Sequence, residues 1–372
     1  MTVHRNEVAD ILRGFGIIAV VAGHAGTDVG IKILPVYSYH MPLFFFISGI
    51  FYRDDRIESI LHIAGKLMSR LMLPALAAVI VYDFLTLAIF HELGLPFGAP
   101  DLSLSVMLHT FLFGGYLAAA YWFIGAYIMI YVYFDVAHAW MHRTASRLIG
   151  STATRSAFCV LYVGAAAVSI YAATLLYGGV QEQDRHIVVA AHKTEILLLR
   201  FLLGCGFYCL GSLFGRFQDR LPSSPALPIA VGAICFVIEG FIFSNYNVFF
   251  STQIMSFPNF VTPIITSIFG IVIFYAISFA IAKSWAAKAL AYIGQNSYAI
   301  LLNHMFGFFL LNLLLVALGR IGLSDITGPY YRFKEYETFP LYILSGLAVS
   351  IAIPILLKKA LHSLKGSISR IA

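Results

Sequence analysis

"RGFGIIAVVAGH", residues 13–24, decides the fold class. Ten apolar or glycine residues separate Arg13 from His24, so the run has the composition of a membrane-crossing helix. An arginine near the centre of a bilayer costs about 2.5–3.5 kcal/mol or more, so its presence there asks for a reason. Working outward, the apolar character persists along the whole chain. Of 372 residues, 60% are hydrophobic and only 11% charged, with a mean hydropathy of +0.85. Soluble chains carry about one-quarter charged residues. These values exclude a soluble domain and point to an all-α, polytopic membrane helical bundle.

A bilayer core of about 30 Å needs roughly 20 apolar residues per helix. That ruler gives ten spans, near 11–30, 36–52, 70–91, 118–140, 156–178, 195–215, 225–244, 259–282, 290–318 and 339–357. The second is short for a full crossing, and 103–117 reads as an interfacial or re-entrant piece. No repeat, low-complexity tract or soluble appendage interrupts residues 1–372, which read as one membrane-embedded domain. The first apolar run lacks a small-residue cleavage site and is expected to be retained.

Basic residues set the orientation. With the N-terminus in the cytoplasm, seventeen of the 24 Lys and Arg residues fall on that side and six outside, with Arg200 inside a helix. Both termini are therefore expected to be cytoplasmic. The net charge of +6 lies in short clusters between apolar runs and gives no reason to invoke nucleic acid. The outer loops near 92–103, 179–194, 245–258 and 319–338 read as ordered lids.

Helical periodicity then gives the opening stretch a geometry. Eleven residues at 100° each end about 20° past three full turns, so Arg13 and His24 share one face about 16 Å apart. Asp28 follows His24 by one turn and is in reach of its imidazole. Gly14, Gly16 and Gly23 permit close approach of a neighbouring helix or a ligand. Two readings stand. In one, Arg13 snorkels to lipid phosphates and His24 makes an interhelical hydrogen bond. In the other, the pair marks a functional line between the two faces.

Two further stretches carry candidate chemistry. In "SYHMPLFFFISGIFYR", residues 38–53, His40 enters on the outer side, near His24 if the first two helices form a hairpin. Ser48 and Gly49 form a close-packing point. The amphipathic run that follows, "RDDRIESILHIAGKLMSRLMLP" over 53–74, reads either as a positive-inside loop with an interfacial helix or as a polyphosphate binder. In "YIGQNSYAILLNHMFG", residues 292–307, Ser297, Tyr298, Asn303 and His304 are polar groups that each need a partner inside an apolar helix. Asp83, Asp135, Glu195, Arg200 and Glu239 are the other intramembrane ionisable residues, with Glu195 and Arg200 a candidate pair. The four cysteines, Cys159, Cys205, Cys209 and Cys235, sit in apolar stretches as small core residues, and no nearby histidine or carboxylate completes a metal site.

These stretches resemble acyltransferase family 3, the ten-span bacterial membrane O-acyltransferases that modify extracytoplasmic glycans. The wording of residues 13–24 and 40–53 is similar to the branch of fucose 4-O-acetylase-like and exopolysaccharide O-acetyltransferases. Asp10 ahead of Arg13, Arg70 and Pro74 in "SRLMLP", "YWFI" at Tyr121–Ile124, and the Gly-x-x-Ser-Tyr run ending in His304 extend the likeness over essentially the whole chain. The family often shows two arginines three apart before the third span; here Lys66 stands ahead of Arg70.

The resemblance implies an O-acyltransferase in the bacterial cytoplasmic (inner) membrane. It would move an acyl group, usually acetyl, from cytoplasmic acetyl-CoA to a hydroxyl of a cell-surface or exported glycan, or of a lipid-linked oligosaccharide, without a metal. It assigns catalysis to His24 and Arg13, with Asp28 on the other imidazole nitrogen and His304 in the site. Arg13, Arg53, Arg56, Lys66 and Arg70 would hold the coenzyme A phosphates. His40 would face the substrate, and oxyanion donors would come from Tyr121, Trp122, Ser297 or Tyr298. Direct attack by the sugar and a transient acyl-histidine both remain open. A transporter of a lipid-linked sugar or small acid is the competing class, but no matching pair of interrupted helices marks two halves. A bare assembly subunit leaves the alignment of Arg13 and His24 without a use.

Overall fold

The computed structural model describes residues 7–26, 35–53, 59–90, 92–95, 103–177, 191–218, 224–246, 248 and 250–371. Its helices are α1 (Glu7–Ala25), α2 (His40–Ile50), α3 (Ile60–Ala88), α4 (Leu104–Phe113), α5 (Trp122–Ile149) and α6 (Ser151–Tyr177). There follow α7 (Lys193–Phe217), α8 (Ala226–Asn245), α9 (Val261–Ile281), α10 (Trp285–Gln295), α11 (Ser297–Ala317) and α12 (Glu335–Ile371). Among the described residues the β content is one isolated bridge, Ser251 to Ser256. The protein is an all-α polytopic membrane bundle.

Nine described helices are long and apolar enough to cross a bilayer, and α2 and α4 are shorter apolar helices. The expected second span is α2. Its 11 residues rise about 16 Å and do not cross alone. Within 103–117 lies the short helix α4, at ten residues too short to cross alone. Ser103 caps its start by accepting the Val106 amide at 3.4 Å, and Gly114 ends it at φ 78°. The expected ninth span, 290–318, divides at Asn296, whose φ of −97° and ψ of 10° leave the helical region and separate α10 from α11. The amphipathic basic run is no separate loop helix. Ser59 caps it on the His62 amide, and it continues without a break into the third span as α3.

The first helix lies at the centre. It packs against α2, α9, α10, α11 and α12, which is why its apolar face is buried almost all round. In lipid, helices associate through close packing, so small residues decide where backbones meet. Gly14 lies on the Leu290 carbonyl of α10, and Gly294 lies in turn on the backbone of Asp10 and Gly14. The expected packing point at Ser48 and Gly49 is also present: Gly49 abuts the Tyr208 backbone, and Gly211 of α7 abuts Phe46 of α2. By contrast α8 exposes Ile234, Val237 and Phe241, the surface of a helix that faces lipid.

Besides a π turn at Thr86–Phe90 that ends α3, π turns occur at Met68–Met72 in α3 and Tyr133–His138 in α5. Such bulges shift a side chain off the regular helical stripe and recur at functional sites. Here they carry Arg70 and Asp135, and both residues line the same cavity.

Candidate active site

At the basic end of α1 lies a cavity of about 330 Å³ lined by Arg13, Arg53, Lys66 and Arg70, with Ser48, Tyr127, Tyr131 and Asp135 among its other walls. Four of the five basic residues expected to act together therefore do line one chamber; Arg56 lies outside the described residues. Asp10, which is buried, accepts from Arg13 Nη1 at 3.1 Å and from Gln295 Nε2 at 3.1 Å. This carboxylate fixes the guanidinium and ties α1 to the end of α10. The Arg13 guanidinium also lies 4.8 Å over the Phe51 ring. Lys66 Nζ donates to Tyr131 Oη at 3.0 Å. A groove along the outer face of α3, lined by His62, Ser69 and the shared Lys66 and Arg70, continues the cationic surface.

One helical turn above Ser48 and Tyr127 stand Phe44 and Phe123, whose rings meet at 5.7 Å. On α1, Ile17 and Val20 share the stripe that joins Arg13 to His24, and each is about 1% exposed. The cationic chamber therefore ends below this packed layer.

Above it sits His24. Its ring lies 5.2 Å from that of His304 at 34°, and 5.9 Å from that of Tyr330 at 29°. His304 is wholly buried, and its Nδ1 faces the carbonyls of Ile300 at 2.9 Å and Leu301 at 3.1 Å. Carbonyl oxygens only accept, so Nδ1 carries the proton and Nε2 presents a lone pair. Among the described residues neither His304 Nε2 nor His24 Nδ1 has a partner. A buried nitrogen left unmatched is costly, so two of them at one place mark a polar site inside the bundle.

His40 is fixed in the same manner, its Nδ1 donating to the Val36 carbonyl at 2.5 Å. Its ring meets Tyr37 edge-on at 5.3 Å, and Tyr37 Oη donates to the Gly23 carbonyl at 3.0 Å. The expected hairpin thus joins His40 to the end of α1 through Tyr37. Among the described residues no group of three or more His, Cys, Asp or Glu side chains is placed to hold a metal ion.

Among the expected oxyanion donors, the two tyrosines already commit their hydroxyl protons to main-chain carbonyls. Tyr121 Oη donates to the Leu302 carbonyl at 2.9 Å, and Tyr298 Oη donates to the Leu71 carbonyl. The Trp122 ring lies 4.9 Å from the Arg200 guanidinium. Ser297 opens α11 seven residues before His304, about 10 Å lower along the axis. Asn303 does find partners, accepting from Tyr82 Oη at 2.5 Å and donating to Ala299 at 2.7 Å. Asp28 lies outside the described residues. The Glu195–Arg200 pair does not form: five residues turn a helix through about 500°, so the two point to different sides. Arg200 donates instead to the Leu112 carbonyl at 2.9 Å and to the Gln253 carbonyl, while Glu195 lies 4.0 Å from His192.

Sequence reasoning missed Arg332 and Tyr330. Arg332 Nη2 and Nε donate to the His24 carbonyl at 2.6 and 3.2 Å. Burial draws its guanidinium down to about 10, against the opposing pull of Tyr342, Tyr330 and Glu335, and leaves it charged at neutral pH. Neither residue belongs to a periodic run, so nothing in the sequence signals them.

With this geometry in place, the comparison with known families is specific. The family model described as "Acyltransferase domain" matches residues 6–359, nearly the whole chain. The chain belongs to acyltransferase family 3. No curated protein and no solved structure matches it. Membership makes the protein a membrane acyltransferase, and the stretch common to α1, α2, α3 and α11 supplies both the cationic chamber and the paired histidines.

Proposed function

We propose that the protein transfers an acetyl group from cytoplasmic acetyl-CoA to a hydroxyl of an exported or cell-surface glycan, in the bacterial cytoplasmic membrane. The observation that carries this reading is a division of labour along α1, with a cationic chamber at Arg13 and a histidine pair at His24. Arginine and lysine groups suit the phosphates of coenzyme A, and Arg13, Arg53, Lys66 and Arg70 are grouped for that purpose. The volume at their centre is within the range of ligand pockets, about 300–1,000 Å³.

At the other end, His24 acts as the base. It takes the proton of the sugar hydroxyl as the oxygen attacks the thioester carbonyl carbon. The carbon–sulfur bond breaks, and the departing thiolate receives that proton from the imidazolium. His304 Nε2, a lone pair without a donor, suits the Nδ1–H of His24 and would hold the base in the required tautomer. An acyl-histidine at His24 is the other route the same geometry serves. For the pantetheine arm to reach His24, the Phe44–Phe123 layer and the Ile17–Val20 stripe must part.

The experiment is transfer of label from radioactive acetyl-CoA into surface glycan by cells producing wild type or His24→Ala at equal membrane levels. Label with wild type and none with the variant supports the reading. Equal label from both removes His24 from catalysis. No label from folded wild type removes acetyl-CoA as donor.

A further inference from the structure

Arg332 stands in the loop between α11 and α12, 308 residues from His24, and its side chain is built around that residue. Two of its N–H groups converge on one acceptor, the His24 carbonyl. Nη1 donates to the Tyr331 carbonyl at 2.6 Å and the Pro329 carbonyl at 3.2 Å, which holds the fork still. The guanidinium lies over Phe308 at 4.3 Å and Tyr342 at 5.1 Å, so both neighbouring helices clasp it. Asn312 Nδ2 donates to the Tyr331 carbonyl at 3.3 Å, and Tyr342 Oη accepts the Phe333 amide at 3.0 Å.

The acceptor is a special one. His24 lies in the last turn of α1, where carbonyls lack the amide four residues on and carry the negative end of the helix dipole. A fixed cation satisfies both needs. It also removes the freedom of that turn to fray, and the imidazole is carried by that turn. Tyr330, two residues earlier in the same loop, covers one face of the His24 ring.

We propose that Arg332 is a positioning residue for the acyl transfer: its grip on the His24 carbonyl aims the imidazole at His304. This rests on the assignment of catalysis to His24. A merely structural Arg332 would fasten the loop and lower the amount of folded protein without changing what each folded site does. A positioning Arg332 alters the rate of each site while leaving the distant donor chamber intact.

The test uses full-length protein purified in detergent, radioactive acetyl-CoA, and envelope glycan from the producing cells as acceptor. Rates are normalised to acetyl-CoA sites titrated by direct binding. Arg332→Met keeps the stacking on Phe308 and Tyr342 but leaves the carbonyl bare. It is expected to lower the rate per site about ten- to a hundredfold with the half-saturating acetyl-CoA concentration unchanged. Arg332→Lys, which restores one charged donor, is expected to recover part of that loss. A wild-type rate per titrated site in Arg332→Met, with His24→Ala inactive, overturns the positioning role alone. A wild-type rate in His24→Ala overturns the functional assignment and the positioning role together.

Discussion

The rings of His24 and His304 face each other at 5.2 Å, and each keeps one buried nitrogen that no described residue satisfies. The two nitrogens are chemically complementary, because His304 is locked with its proton on the main-chain side. We expect His304→Gln to lower transfer about a hundredfold or more at saturating acetyl-CoA, the scale of lost acid–base assistance. Its donor binding should match wild type. Measured turnover within a few-fold of wild type would make His304 a packing residue.

On the proposed function, the cationic chamber predicts the opposite kinetic signature. Lys66→Met and Arg70→Met each remove a cation from the cavity wall without touching the histidines. Each should raise the half-saturating acetyl-CoA concentration about tenfold while sparing the maximal rate. The two lie one turn apart on α3, so the double variant should fall short of the product of the singles. Initial-rate titrations check both statements.

Arg200 gives a stability prediction. It is 2% exposed, supplies the carbonyls of Leu112 and Gln253, and lies over Phe113 and Trp122. Arg200→Met leaves two interior carbonyls without a charged donor, at a cost of about 2–4 kcal/mol. A lowered thermal midpoint in detergent, with an unchanged rate per folded site, is the expected result.

Glycines at helix crossings give a paired control. A Cβ at Gly49 would collide with the Tyr208 carbonyl, whereas Gly164 has nothing within 4 Å. Gly49→Val should cost about 1–3 kcal/mol or more and sharply reduce membrane levels. Gly164→Val should leave them unchanged. Immunoblots of isolated membranes distinguish the two.

Much of this was legible in the residues because one rule, 3.6 residues per turn, governs most of the chain. That rule aligned Arg13 with His24, and the length needed to cross a bilayer marked the second helix as short. The break at Asn296 was passed over, although Gly294, Gln295, Asn296 and Ser297 interrupt the apolar run there. The partners of Tyr121 and Tyr298 were hidden for a different reason. Each of these two hydroxyls donates to a carbonyl of a different helix, and which helix lies alongside is decided by tertiary packing. Arg332 stayed hidden because a loop residue carries no period, and its partner is a main-chain atom that no sequence motif encodes.

The packed layer between the two ends of α1 has a consequence for the cell. On the proposed function, the protein serves reactants from opposite faces of an energised membrane and must not become a pore. Ile17 and Val20, with the Phe44–Phe123 pair beside them, place packed hydrocarbon between the cationic chamber and His24. Hydrocarbon opposes the passage of protons and ions, so this layer resists leakage along α1. Widening that layer with small side chains would be paid for in ion leakage before it was felt in chemistry.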